Sequence, residues 1–217
     1  MKVPSGSEIT PETLLRAYVA GIFPMAEGRN DPTIHWVDPR MRGVFPLQNF
    51  HISRSLWRSI AKDNYTIRTN TAFSDVVSAC AERAETWISG PIKTLYQSLH
   101  DAGFAHSLEV WRDDDLIGGV YGVSLGAAFF GESMFSRATD ASKIALAYLT
   151  HRLISGGYQV FDTQFLTPHL QSLGAIEIPR AEYHRQLTLA LQRSGNFDPP
   201  GYSVTAAGVL QRNIQTS

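Results

Sequence analysis

The sequence predicts an α+β fold, with one larger domain behind a small N-terminal piece. The first half of the chain is dominated by segments with apolar residues at helical spacing. The middle alternates short apolar runs with turn signals, and a helix–strand–helix order follows. No internal repeat is present, and 217 residues at 43% hydrophobic and 18% charged are enough to bury a sizeable core.

Helix start and stop signals define the elements of the first half. Thr10 can cap a helix that begins at Pro11, and Gly21 suits its end. Ser53 starts a second helix within His51–Lys62. The other elements expected here are strands at Gly43–Phe45 and Tyr65–Arg68 and helices at Ala72–Glu82 and Pro91–Ala102.

The second half begins with a predicted antiparallel meander. Its strands are SLEVWR, DLIGGVYGV and AAFFGES, separated by turn signals at Asp113–Asp115 and Gly126. A long helix, capped by Asp140, is expected to run to Ile154. We then expect a strand in YQVFDTQ, a short helix at Thr167–Leu173, a strand at Ala175–Ile178 and a helix at Ala181–Arg193. Residues after Ser194 are rich in Gly, Pro, Ser and Thr and are expected to fray.

Composition and charge exclude several classes of protein. A net charge of −1 and a pI of about 6.6 argue against an indiscriminate nucleic-acid binder. The charge is uneven, because Asp38 and Asp63 are outnumbered between residues 38 and 68 by Arg40, Arg42, Arg54, Arg58, Lys62 and Arg68. This region is either a docking patch for one polyanion or a solvated helix face. The single Cys80 allows no internal disulfide, and no membrane-spanning run or signal peptide is evident, so we expect a cytoplasmic protein without a membrane partner.

Glu132 is the first candidate for chemistry. It lies in GESMFS among aromatic and apolar residues, and a buried, unpaired carboxylate there costs on the order of several kcal/mol. It therefore needs a partner or a task. The simplest alternative is a structural carboxylate that accepts hydrogen bonds from nearby backbone N–H groups.

Asp162 and Gln164 form the second candidate. Two residues apart on a strand, they are expected to share a face at a strand edge. Asp162 can then hold the NH2 group of Gln164, leaving the amide oxygen aimed at an attacking amine. Such a weak acceptor suits an acyl donor that is already activated. The alternative is a simple hydrogen bond at the end of a strand.

Several cofactor motifs are missing from the sequence. There is no GxxxxGK[ST] phosphate loop, no GxGxxG after a strand, no CxxC and no GxSxG elbow. The seven histidines show no HExxH spacing. We therefore expect no phosphate loop for ATP and no metal bound by the histidines.

Ten segments between Ala17 and Tyr183 carry a family resemblance. The longest and most specific are FFGESMFSR and FDTQFLTPHLQSLGA, and the others are AYVAGIFPM, RGVFPL, HISRSLWR, ETWIS, AHSLEVWR, GGVYGV, ASKIAL and IPRAEY. In these segments and in their order the chain resembles the leucyl/phenylalanyl-tRNA–protein transferases.

The resemblance implies a fold and an activity. It implies that the larger domain, over residues 41–195, has a GNAT-like acyltransferase fold, mostly an antiparallel sheet flanked by helices. With the element order and composition above, this leaves a small N-terminal domain over residues 1–40 and a flexible tail over residues 196–217. Members move Leu or Phe, and Met less well, from aminoacyl-tRNA to the α-amine of proteins beginning with Arg or Lys, which marks them for N-degron proteolysis. A monomer without cofactors is expected. Two alternatives stay open: an N-acyltransferase with an acyl-CoA donor, disfavoured by the glycine-free SRATDAS loop, and a non-catalytic protein that binds the tRNA acceptor stem.

The resemblance also implies site residues. It assigns Asp162, Gln164 and Glu132 to catalysis. Trp87 would stack near the terminal adenosine of the tRNA, where Met25 replaces a second Trp. The pocket for the donor side chain would be lined by Val120, Phe129, Met134, Leu146 and Phe161. The basic helix at the acceptor stem would present Arg54, Arg58 and Lys62.

Overall fold

The structure, a computed structural model, describes residues 9–25, 28, 35–83 and 86–215. Within these ranges the helices are α1 (Pro11–Val19), α2 (Arg54–Ala61), α3 (Phe73–Cys80), α4 (Gly90–Asp101), α5 (Ala141–Ser155), α6 (Pro168–Gln171), α7 (Arg180–Leu191) and α8 (Ala206–Gln215). The strands are β1 (Phe23–Met25), β2 (His35–Val37), β3 (Met41–Val44), β4 (Thr66–Thr69), β5 (Ala105–Arg112), β6 (Asp115–Leu125), β7 (Ala128–Ser136), β8 (Val160–Gln164) and β9 (Ile176–Pro179). A 3₁₀ turn spans Leu47–Asn49.

The larger sheet has seven strands in the order β4-β5-β6-β7-β8-β3-β9, and β1 pairs with β2 in a separate small sheet. The predicted meander is confirmed as β5–β6–β7, and every pair in the large sheet is antiparallel except β7–β8. Strand β8 is an interior strand, so the expectation of a sheet edge at Asp162 and Gln164 is wrong. Strand β3, from much earlier in the chain, covers that edge, and local sequence patterns do not reveal such distant pairing.

Two apolar cores pack against the two faces of this sheet. Because side chains alternate along a strand, Tyr121 and Val123 of β6 join one core and Val120 joins the other. Helices α1, α3, α4 and α7 cover the first face, with Tyr18 and Tyr96 among its fully buried residues. Helices α2, α5 and α8 cover the second. The N-terminal helix therefore shares a core with the larger sheet.

Helix caps mostly follow the sequence prediction. The side chains of Thr10, Ser53 and Thr167 each accept a hydrogen bond from a backbone N–H in the first turn of their helix. Asp140 is an exception, because it adopts a left-handed φ of 62° and makes no side-chain cap. Its carboxylate instead accepts bonds from Ser59 Oγ at 2.8 Å and Lys143 Nζ at 2.9 Å, which connects the start of α5 to α2.

The prediction of a fraying C-terminal tail is wrong. Residues 206–215 form α8, and Ala206, Val209 and Leu210 are buried in the second core against α2 and α5. The segment before the helix is rich in Gly, Pro and Ser, and the helix itself has only a few apolar positions. Composition therefore did not indicate a helix here. In the part of the chain that the structure describes, no helix has the length and apolar character needed to cross a bilayer.

Candidate active site

A cavity of about 480 Å³ opens where the parallel strands β7 and β8 part. The two strands pair only from Ala128–Phe130 to Val160–Asp162, although β7 continues to Ser136 along β6. Opposite the Tyr121–Gly122 step of β6, Glu132 has no pairing partner and forms a bulge that bends β7. The gap is therefore lined from both faces of the sheet.

One side of the cavity is apolar. Val120, Met134, Leu146 and Phe161 line it, as the resemblance implied. Phe129 does not, although its ring lies in the second core with Phe161, at 5.7 Å between ring centroids. One of the five expected residues is therefore absent from the lining.

Glu132 is the only acid among the described residues that line the cavity. Its carboxylate accepts hydrogen bonds from the phenols of Tyr18 and Tyr96, each at 2.6 Å, rather than from backbone N–H groups. Burial raises the pKa of Glu132 to about 7, and the two phenol bonds only partly offset that effect. Burial and the charge of Glu132 raise the pKa values of Tyr18 and Tyr96, which keeps both as donors.

Asp162 lies between the lining residues Phe161 and Thr163 on β8 and is fully buried. The guanidinium of Arg42 donates to it twice, from Nε to Oδ1 at 2.9 Å and from Nη2 to Oδ2 at 2.6 Å. The Tyr183 phenol donates to Oδ2 at 2.7 Å. Burial opposes the charge of Arg42, but the bonds and the negative charge of Asp162 outweigh it and raise the pKa of Arg42. Arg42 therefore does not belong to the exposed basic patch that the sequence indicated.

Gln164 lines the cavity and is 8% exposed. The expected bond from its NH2 group to Asp162 is absent, since Oδ1 of Asp162 accepts from the backbone N–H of Gln164 at 2.8 Å. The side-chain Nε2 is buried with no partner among the described residues. Gln164 has a φ of 59°, and the N–H of Phe165 donates to the carbonyl of Thr163 at 2.7 Å, which closes a three-residue turn centred on Gln164. Such left-handed backbone costs a non-glycine residue about 1–2 kcal/mol.

Strand β3 packs closely against this turn. Gly43 lies opposite Gln164 in the β3–β8 register. A Cβ atom at Gly43 would lie 2.7 Å from the carbonyl carbon of Phe165, a distance that real Cβ contacts do not reach. Only glycine therefore allows β3 to approach the turn that carries Gln164.

Another part of the cavity lining contains an aromatic ring, a thioether and two basic side chains. Trp87 and Met25 both line it, and the Trp87 ring meets Tyr96 edge-on at 6.3 Å. Arg83 and His169 line it as well, and Arg83 donates to the carbonyl of Met134. Burial lowers the pKa of His169, and the positive charges of Lys143 and Arg83 lower it further. We call these four residues the rim; Arg83 is the one Lys or Arg among the described residues that line the cavity.

The three cations expected on α2 are separate from the cavity. Arg54, Arg58 and Lys62 are all exposed, and none of them is buried in a core. The exposed Trp57 lies on the same helix, between Arg54 and Arg58. The Ser59–Asp140 hydrogen bond connects this helix to the loop before Ser142, which lines the cavity.

Sequence reasoning missed four residues that build the site: Arg42, Tyr18, Tyr96 and Tyr183. Three of them lie inside segments that carried the family resemblance, AYVAGIFPM, RGVFPL and IPRAEY. Their position in these segments was the signal that could have identified them. Tyr96 lies outside all ten segments, so the sequence offered no such signal for it. Among the described residues no three His, Cys, Asp or Glu side chains are grouped to hold a metal ion.

Comparison with known proteins identifies relatives along the whole chain. The leucyl/phenylalanyl-tRNA protein transferase family model matches residues 44–188, and the model for the N-terminal domain of the same family matches residues 7–40. A leucyl/phenylalanyl-tRNA–protein transferase of Cereibacter sphaeroides is 64% identical over 96% of this chain and 98% of its own length. One of Ruegeria pomeroyi is 59% identical over 96% of this chain and 99% of its own.

Among solved structures, FemX superposes with a TM-score of 0.49 at 12% identity, covering 77% of this chain and 66% of FemX. That likeness is too distant to support an argument about this chain. The sequence matches are decisive on their own, since one family model spans most of the chain and relatives are similar over nearly their full length. The chain therefore belongs to the leucyl/phenylalanyl-tRNA–protein transferase family.

Proposed function

We propose that this chain moves leucine or phenylalanine, and methionine less well, from an aminoacyl-tRNA to the α-amine of proteins that begin with Arg or Lys. The new N-terminus marks those proteins for N-degron proteolysis. One observation carries the proposal: a single cavity joins an apolar lining to the amide of Gln164 and the acid of Glu132. Such a cavity suits the apolar side chain of a donor amino acid, the ester that joins this amino acid to the RNA, and an incoming amine.

The reaction is the aminolysis of an ester. The acceptor nitrogen attacks the ester carbonyl carbon, the amide bond forms as the bond from carbon to the ribose oxygen breaks, and one proton moves from the amine to that oxygen. The RNA leaves with a free hydroxyl group. Because the ester is already activated, no cofactor or metal is required, and positioning with electrostatic stabilisation supplies most of the acceleration.

Gln164 is the group proposed to meet the amine. Its amide oxygen can accept a hydrogen bond from the attacking nitrogen and so orient it. The buried Nε2 has no competing partner in the described chain, and rotation of the amide exchanges its nitrogen and oxygen, so either end can face the cavity. Asp162 contributes to this step indirectly, because it accepts a hydrogen bond from the backbone N–H of Gln164 and so holds that residue in place.

Glu132 and the apolar lining are proposed to fix the donor. Ionised Glu132 attracts an ammonium group, and two phenols hold it in place without cancelling its charge. Val120, Met134, Leu146 and Phe161 are proposed to take the donor side chain. An apolar pocket discriminates a single methylene by only about 1–3 kcal/mol, which suits acceptance of both Leu and Phe.

The RNA is proposed to approach over the rim and α2. Trp87, with Met25 beside it, offers a surface for the terminal adenine, and base–aromatic stacking is worth about 1–3 kcal/mol. Arg54, Arg58 and Lys62 would contact acceptor-stem phosphates, which is a salt-sensitive and sequence-blind interaction.

The same proposal covers fold type and setting. We assign residues 41–195 to a GNAT-like catalytic domain behind a small N-terminal domain over residues 1–40. The parting of one parallel pair in a mostly antiparallel sheet supports that assignment, since it opens the sheet to an acyl group. The chain is proposed to act as a monomer. Charged tRNA as donor implies action in the cytoplasm.

A direct assay tests the activity. Labelled leucyl-tRNA is incubated with peptides that begin with Arg, Lys or Ala, and label is scored on each peptide. Label is expected on the Arg and Lys peptides and not on the Ala peptide. Gln164→Ala is expected to lower the transfer rate by about 100-fold with donor binding retained, a size typical for loss of one proton-handling group. Gln159→Ala, an exposed change just before β8, is the matched control.

Two results would replace the proposal. Acetyl transfer from acetyl-CoA to a peptide amine would favour an acyl-CoA-dependent enzyme. Tight binding of tRNA with no transfer to any peptide would favour a protein that only binds the acceptor stem.

A further inference from the structure

Arg42 is a fully buried cation that does not itself line the cavity. Its guanidinium lies between two aromatic rings, 4.5 Å from the Phe23 centroid and 4.3 Å from that of Tyr183. Its Nη1 donates to the carbonyl of Gly21 at 3.0 Å. Phe23, Tyr183 and Gly21 therefore act together with Asp162 to hold this one side chain in a single position.

The hydrogen-bonding capacity of Asp162 is fully used. Oδ1 accepts from Arg42 Nε and from the Gln164 N–H, and Oδ2 accepts from Arg42 Nη2 and the Tyr183 phenol. Two carboxylate oxygens offer about four such sites, so none is left for a substrate or for the Gln164 side chain. The guanidinium of Arg42 also balances the negative charge of Asp162 within the protein interior. Asp162 is thus a poor candidate for a group that polarises another.

One of those four bonds reaches the strained turn. The Gln164 N–H donates to Oδ1 at 2.8 Å, and Gln164 is the left-handed central residue of that turn. Strained backbone persists only where its surroundings hold it. The same turn carries the Gln164 side chain, which lines the cavity and whose Nε2 has no partner among the described residues.

We propose that Arg42 and Tyr183 are positioning residues for aminoacyl transfer, acting through Asp162 as a neutral unit that fixes the turn carrying the Gln164 amide. The inference rests on the proposed function and deepens it. Asp162 serves as a rigid acceptor, and its negative charge is balanced inside the protein instead of acting on the substrate.

A double-mutant cycle separates geometry from charge. Asp162→Asn keeps an oxygen acceptor for the Gln164 N–H but leaves Arg42 as an unbalanced buried cation. Adding Arg42→Gln removes that cation and restores a neutral, hydrogen-bonded pair. The single-turnover transfer rate from leucyl-tRNA to an Arg-peptide is measured for the wild type, both single variants and the double variant. Donor affinity and the KM for the peptide are measured alongside.

Rescue is the expected result. Asp162→Asn and Arg42→Gln each lower the transfer rate at least tenfold with donor affinity and peptide KM nearly unchanged, and the double variant recovers most of what Asp162→Asn lost. Tyr183→Phe, which removes a single bond, gives a smaller loss in the rate alone. A double variant no faster than Asp162→Asn would overturn the inference, because the negative charge would then be needed in its own right. Wild-type rates for Asp162→Asn would overturn it as well.

Two controls keep the result interpretable. Rates are measured below the unfolding transition of every variant, so that loss of rate is not loss of folded protein. Arg152→Gln with Asp198→Asn removes another ion pair, which lies at 2.7 Å outside the cavity lining, and is expected to leave the transfer rate unchanged. Wild-type transfer in the same assay establishes the reaction, so a failed rescue counts against the role of Arg42 alone.

Discussion

The phenol of Tyr18 donates a 2.6 Å hydrogen bond to Oε1 of Glu132, across 114 residues of sequence. It joins α1 at the start of the chain to the bulge in β7. The Tyr96 phenol binds the other oxygen of the same carboxylate, and the two phenols lie 2.8 Å apart. The N-terminal helix therefore holds the one acid of the described cavity lining in place.

Glu132→Gln is expected to gain folding stability relative to the wild type as pH rises toward 7. Burial raises the pKa of Glu132 to about 7, so between about pH 4.5 and pH 7 the folded chain keeps a proton that the unfolded chain has released. The contribution of Glu132 to wild-type stability should therefore fall as pH rises through this window, by on the order of 3 kcal/mol, and the stability of Glu132→Gln relative to the wild type should rise by the same amount. Urea denaturation at several pH values measures the effect.

The matched control for that prediction is Glu177→Gln, which removes an exposed acid on β9. It should reproduce the wild-type slope. Parallel curves for Glu132→Gln and the wild type would mean that Glu132 does not bind an extra proton in the folded state.

Leu146→Ala is expected to shift donor preference toward phenylalanine. Leu146 lines the apolar side of the cavity, and shortening it makes room for the larger ring. The ratio of kcat/KM for phenylalanyl-tRNA over leucyl-tRNA should rise by about 3- to 10-fold, within the range that a few methylenes provide. Leu149→Ala is the control, because Leu149 is buried on the same helix outside the cavity. It should cost about 2–5 kcal/mol of stability and leave the ratio unchanged.

Arg54→Ala combined with Arg58→Ala is expected to weaken tRNA binding and reduce its salt dependence. Both side chains are exposed on α2, and each phosphate contact contributes close to one unit to the slope of log affinity against log salt. The slope should therefore fall by about two. Anisotropy of labelled tRNA at several salt concentrations gives the slope. Arg193→Ala, an exposed cation just after α7, should not change it. An unaltered slope in the double variant would remove α2 from the RNA footprint.

Leu210→Ala is expected to destabilise the whole chain by about 2–5 kcal/mol, as buried leucine truncations do. Leu210 is 7% exposed and packs in the second core. Gln211→Ala, its exposed neighbour, should change stability by less than about 0.5 kcal/mol. Both are measured by urea denaturation. If both variants changed the free energy of unfolding by a similar, negligible amount, α8 would not be packed in the second core.

Local patterns predicted most elements of this fold. Thr10 and Ser53 cap their helices, and the meander of β5, β6 and β7 follows from period-two runs and turn residues. These features depend on residues only a few positions apart, so they can be predicted from the sequence. Helix α8 escaped because its apolar positions are few, and its stability comes from packing on α2 and α5.

The candidate site divides in the same way. The motif-bearing segments led to Gln164, Glu132, Trp87 and four of the five apolar pocket residues, all of which line one cavity. The pairing of Asp162 was wrong: two residues on one strand were expected to bond through side chains, whereas the left-handed turn at Gln164 presents its backbone N–H instead. Backbone strain of that kind leaves no trace in residue type.

The sequence by itself determined the family, most of the helices and strands in their order, and the segments that supply an apolar cavity lining with an amide and an acid beside it. Tertiary structure alone decided what those polar groups do. It placed Arg42 of β3 against Asp162 of β8, and Tyr18 and Tyr96 against Glu132. The physical reason is that a buried charge must find its partner in space. In this chain each partner comes from an element that no local pattern connects to the acid.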